Sequence, residues 1–148
     1  MLIRTLKTLF RRDLNRLRQE IDAYQDEPKI WHVEKSIANS AGNLCLHLVG
    51  NLNTYIGAEL GKTGYVRRRE REFSLKDIPK AELLQKIDET IKVIDKALDN
   101  ITEEQLQQEY PMLVFDEMTS TEYLLVHLTT HLTYHLGQIN YHRRLLDL

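Results

Sequence analysis

Six histidines lie at positions 32, 47, 127, 131, 135 and 142. At about 100° per residue, His127, His131, His135, Gln138 and His142 fall within an arc of about 80° on one helix face. Leu128, Leu132, Leu136 and Ile139 occupy the neighbouring arc. Residues four apart on a helix hold their Cβ atoms about 5–6 Å apart, so two imidazoles so spaced can reach one ion. First-row divalent metals accept imidazole nitrogen at about 2.0–2.1 Å, which makes His131 and His135 a candidate ligand pair. A third ligand is offered by an earlier uncharged segment, where Ser36, Ser40, Asn43, His47, Gly50, Asn51, Thr54 and Ala58 align around His47. Nearly all of that face is small or polar, so it leaves room for a ligand instead of filling the core with aliphatic volume. Three neutral histidines leave the ion's charge uncompensated and at least one position open, as in catalytic sites. Gln138, Asn43 and Asn51 are then candidates to hydrogen-bond the ligating rings or a substrate.

The plain alternative is a set of hydrogen-bonded core histidines. Several imidazoles on one stripe weigh against it, because each brings polar nitrogens that need partners once buried. His131 is followed by Leu132, so the glutamate that serves the H-E-x-x-H peptidases as general base is missing. Cys45 lies about 160° around the helix from His47 and reads as a small buried residue, not a nucleophile.

These side chains need helices to hold them. No Asp, Glu, Lys or Arg occurs from Ser36 to Ala58, nor from Tyr123 to His142, in a chain that is 28% charged. Two such runs predict two helices enclosed by the rest of the fold. Four Asn and a His in the first, and four His in the second, are too polar for hydrocarbon, which excludes a membrane-spanning reading. Two amphipathic segments supply the enclosure. One carries Leu2, Leu6, Leu9, Phe10, Leu14, Leu17, Ile21 and Tyr24 and stops near Pro28; the other carries Leu84, Ile87, Ile91, Ile94, Leu98 and Ile101, with steps of three and four. Asp77 is expected as its N-cap, with Pro79 in its first turn and Asn100 as its stop. Gly61 and Gly64 are expected to end the second helix, and Thr119-x-x-Glu122 to open the fourth with a capping box. Thr102-x-x-Gln105 predicts a short helix between the third and fourth, and residues 113–115 could pair briefly as strand. Trp31 and His32 precede the second helix and are given no role. The expected architecture is a single all-α domain over residues 1–148, a four-helix bundle with longer connections after its second and third helices.

Composition narrows the function. With 148 residues, 42% of them hydrophobic, and a net charge of −2, the chain reads as one ordinary globular domain with no global basic field to attract nucleic acid. The run VRRREREF at 66–73 is broken by glutamates and reads as a solvated loop whose arginines could attract carboxylates of a cosubstrate. The six basic residues among the first eighteen read as the outer face of a helix, not a membrane-binding surface. One cysteine and no apolar signal segment give an expectation of a reducing cytoplasm.

The stretches HLTTHLTYHLGQINYHRRLL at 127–146 and NLCLHLVGNLNTYIG at 43–57 resemble the last and second helices of the DinB-like family, four-helix bundles that include thiol-dependent S-transferases. The match rests on a His-x-x-x-His-x-Gly-Gln pattern carried by His131, His135, Gly137 and Gln138. The resemblance implies a metal, nickel, zinc or iron, held by His47, His131 and His135, and a homodimer. His127, one turn earlier, has no counterpart in that triad and is a candidate alternative ligand or neighbour to it. The resemblance further implies transfer of a low-molecular-weight thiol of the bacillithiol type to an electrophile. A metal-bound thiol is deprotonated, and the thiolate is the nucleophile. Two other functions are compatible with these residues: a non-catalytic metal- or small-molecule-binding dimeric stress protein, and a metal-dependent hydrolase with water in the open position.

Overall fold

The computed structural model describes residues 1–148 and is all-helical. Helix α1 spans Leu2–Asp22, α2 Ala41–Leu52, α3 Arg69–Ser74, α4 Lys80–Asp99, α5 Glu103–Gln107 and α6 Thr121–Leu146. The apolar stripe of α1 buries Leu6, Phe10, Leu14, Leu17 and Ile21, and Tyr24 is buried just beyond the helix end. Helix α4 buries Leu83, Ile87, Ile94 and Leu98, while Leu84 and Ile91 are only half-buried at the edge of that face. Between α1 and α2 a short 3₁₀ turn, Glu27–Trp31, drives Ile30 and Trp31 inward. Gly42 makes this possible, since a Cβ there would stand 2.6 Å from the Trp31 ring.

Helix α2 is enclosed along its whole length, every residue from Ala41 to Leu52 being buried. It starts five residues later than the uncharged run, because the Ser40 hydroxyl accepts the Asn43 N–H at 3.1 Å and sets the first turn there. At its far end the winding loosens into one wide π turn, Asn53–Ala58, and the Gly61 N–H closes on the Ile56 carbonyl at 2.9 Å. Helix α6 buries Leu124, Leu125, Leu128, Leu132, Leu136 and Ile139. Helix α1 packs on α4 and α6, and α2 packs on α3, α4 and α6.

Several local expectations shift. The α6 N-cap is Ser120, whose hydroxyl accepts the Tyr123 N–H; the Thr119–Glu122 box does not form, because Thr119 is drawn into backbone pairing with Tyr110 at 2.8 Å. That isolated pairing, and not residues 113–115, is the only strand-like contact after α5. Asp77 turns the chain with φ 58° and Pro79 caps α4. The Thr102–Gln105 capping box and the stop at Asn100 form as expected. No helix is long and apolar enough to cross a membrane.

Candidate metal centre

His47 lies in the middle of α2, and His131 and His135 lie one turn apart on the facing side of α6. Backbone geometry alone brings the two α6 rings together, their centroids 4.6 Å apart, and packing of α2 on α6 adds the third ring 5.1 and 5.3 Å from them. One nitrogen from each of the three lies within 4.8 Å of the others, close enough to hold one metal ion. His47 Nε2 faces His131 Nε2 at 3.2 Å. Two nitrogens bound at about 2.0–2.1 Å to one tetrahedral ion stand about 3.3 Å apart, so this pair has the separation a shared ion requires.

The outer nitrogens decide which atoms face inward. His47 Nδ1–H donates to Glu72 Oε1 at 3.1 Å, and His135 Nδ1–H donates to Gln138 Oε1 at 2.7 Å. A carboxylate or a carboxamide oxygen can only accept, so both rings carry their proton on Nδ1 and present an Nε2 lone pair to the centre. His131 Nδ1 is buried without a partner. Burial, reinforced by repulsion from neighbouring imidazoles (His135, His47 and His127) should they take up protons and from Arg67, pushes the His131 pKa down to about 4. Burial likewise lowers His135, against the opposing hydrogen bond to Gln138. Neutral imidazole is the form that ligates a metal, and these surroundings favour it.

Glu72 is the residue that sequence reasoning missed. The run at 66–73 is solvated along most of its length but is not all loop: its second half is α3, and Glu72 is buried under α2. Arg67 clamps its carboxylate from the other side, Nε to Oε2 at 2.8 Å and Nη2 to Oε1 at 3.0 Å. Burial pushes the Glu72 carboxyl up, but hydrogen bonds from His47 and Arg67 and the Arg67 charge outweigh it, so its pKa lies below the ordinary value. Room for this carboxylate comes from Gly50, where a Cβ would sit 1.9 Å from Oε2. Nothing in the run itself separates Glu72 from Glu70; the one sequence signal is the gap at Gly50, one turn beyond His47.

The remaining candidates separate by contact. Asn43 binds the protein itself: its Nδ2 donates to the carbonyls of Glu72 at 2.9 Å and Leu75 at 2.8 Å, and its Oδ1 accepts from Lys76 at 2.6 Å. It therefore ties α3 to the start of α2. Asn51, buried one turn after His47, leaves its Oδ1 unpartnered. His127 stays outside the three-ring group and packs edge-on against Phe115. His142, on the same stripe, is a core histidine, accepting from the Tyr24 hydroxyl at 2.6 Å and donating to the His32 carbonyl at 2.8 Å. Cys45 is fully buried, and burial pushes its thiol up to about 12.

A family model described as "Protein of unknown function (DUF1572)" matches residues 2–147. Among curated proteins nothing matches the chain.

Proposed function

The chain belongs to the DUF1572 family, and we propose that its three-histidine centre binds a divalent metal ion and serves transfer of a low-molecular-weight thiol, of the bacillithiol type, to an electrophile. The observation that carries the metal reading is the convergence of His47, His131 and His135 within 4.8 Å, with two of the three rings oriented by outside acceptors. The transfer reading leans on the likeness of residues 43–57 and 127–146 to DinB-like S-transferases. The four longer helices α1, α2, α4 and α6 suit a single DinB-like four-helix-bundle domain over residues 1–148.

In this reading His47, His131 and His135 hold the ion, which when bound supplies the Lewis acidity that turns a thiol into a thiolate near neutral pH. Nickel, zinc and iron all suit such a ligand set. The chain's own work is positional. Glu72 and Gln138 fix the tautomer and tilt of two rings, and the apolar residues around α2 exclude water. Asn51 and His127 border the centre as contacts for a substrate, and Asn43 acts through the α3 segment it holds. Sulfur attacks an electrophilic carbon as the bond to its leaving oxygen or halogen breaks, with no covalent protein intermediate. A cytoplasmic homodimer with no nucleic-acid or membrane partner completes the proposal; of these, the lack of a nucleic-acid partner is supported by the net charge of −2.

The test is metal content of untagged protein never exposed to a nickel column, followed by thiol consumption in the presence of an electrophile. About one ion per chain is expected, lost in His131→Ala together with turnover while helicity stays intact. Trace metal, with no uptake of added divalent ions, would reduce the stripe to polar core packing. Stoichiometric metal with no consumption of any thiol would leave a non-catalytic or hydrolytic centre.

A further inference from the structure

A cavity of about 560 Å³ opens between the chain leading into α2 and the C-terminal half of α6, and His135 and Gln138 form part of its wall. The remaining wall combines apolar surface, from Ile37, Leu44, Leu145 and the ring of Tyr134, with the uncharged polar side chains of Ser36 and Asn39. No Asp, Glu, Lys or Arg side chain lines it. The arginines of 67–71 are engaged elsewhere, Arg67 on Glu72 and Arg68 with Arg71 at a separate hollow beside Lys86. A charged ligand seated against this wall would meet no counter-charge. Ligand sites of this size are mostly apolar, with a few polar groups that fix orientation. Gln138 is such a group here. Its Oε1 is taken by His135 Nδ1 at 2.7 Å, whereas its NH2 makes no bond within the chain and is free to donate. His142, also in the wall, has both ring nitrogens occupied and offers nothing.

We infer that this cavity binds an uncharged, largely apolar small molecule carrying a hydrogen-bond acceptor for the Gln138 amide, seated against His135. This deepens the proposed function and rests on it in one respect: if His135 is a metal ligand, the molecule held there is the electrophile, and the charged thiol approaches by another side.

The probe is Nile red, which is neutral, mostly apolar and carries a carbonyl acceptor; its charged counterpart is 8-anilinonaphthalene-1-sulfonate. Saturable Nile red fluorescence is expected with the full-length protein, weakened at least about tenfold by Ile37→Asp, which puts an unpaired carboxylate on a half-buried part of the wall. Residue 37 lies in a loop, so the variant retains helicity, read by circular dichroism. The sulfonate binds at least about tenfold more weakly than Nile red. No saturable Nile red binding, equal binding in wild type and variant, or tighter binding of the sulfonate overturns the inference. Cobalt uptake, followed separately by its visible absorption, keeps the two readings apart. Failed uptake with the expected Nile red pattern removes the metal and leaves the cavity; normal uptake without that pattern does the reverse.

Discussion

The orientation of His47 depends on one carboxylate that is itself buried and clamped. Replacing Glu72 by Gln keeps its shape and removes its charge, and an amide at that position is free to present NH2 to His47 Nδ1. Metal affinity, read by competition with a chelator, is expected to fall by about 10- to 100-fold, with helicity unchanged. Gly50→Ala reaches the same result by another route, since the added Cβ at 1.9 Å from Oε2 pushes the whole carboxylate away and breaks the bonds of Oε2 to Arg67 and of Oε1 to His47. A tightly binding Glu72→Gln protein would show that His47 needs no such partner. Protonation gives an independent check. An unfolded histidine takes up a proton near pH 6.5, whereas His131 resists until about 4 because it is buried and sits beside other titratable imidazoles and Arg67, and burial lowers His142 in the same sense. Over that interval the unfolded chain binds more protons, so stability is lost as pH falls from about 6.5 towards 4. Glu72 and Asp13, both lowered, add a loss of the same sign only below the ordinary carboxylate range. The melting temperature in chelator is therefore expected to be lower at pH 5 than at pH 7. His131→Ala should narrow that difference; an unchanged difference would contradict the account.

At the scale of elements, α3 has only six residues, too few for stability by propensity alone. Its place against α2 is held by Asn43, which satisfies the Glu72 and Leu75 carbonyls. Asn43→Ala leaves both carbonyls unpaired and is expected to cost about 1–3 kcal/mol. Amide exchange over residues 69–75 should accelerate more than elsewhere; uniform acceleration would mean that Asn43 acts on the whole fold. The long elements were legible because hydrophobic spacing and the absence of charge reflect burial directly. The pair His131 and His135 was legible because helical geometry converts a four-residue spacing into a distance. Glu72 was not, since its burial is decided by a neighbouring helix with a glycine at the right turn, and no local pattern records that. The α6 cap slipped by one residue for a related reason: pairing of Thr119 with Tyr110 competes with the local capping signal.

Across the whole molecule, the centre joins two helices that would otherwise meet only through packing, so an ion bound there stabilises the folded state by mass action. At free zinc about 100-fold above the dissociation constant, the gain is about 2.7 kcal/mol, or a rise in melting temperature of roughly 5–10 °C for a chain of this size. The same addition should leave His131→Ala unmoved. An equal rise in the variant would place the bound zinc elsewhere. A second tie, from Asp13 on α1 to the Thr133 hydroxyl at 2.6 Å, holds the face of α6 opposite the site and belongs to the scaffold.

His47 and His131 face each other across 84 positions of chain, and both His131 and His135 lie on α6, which is synthesised after α2 and α3. A nascent chain that has emerged only as far as α5 carries His47 and Glu72 but neither of the other two rings of the centre, so it can offer only one of the three converging imidazoles to a passing ion. An ion held by all three rings could therefore be captured only once α6 has formed and packed on α2.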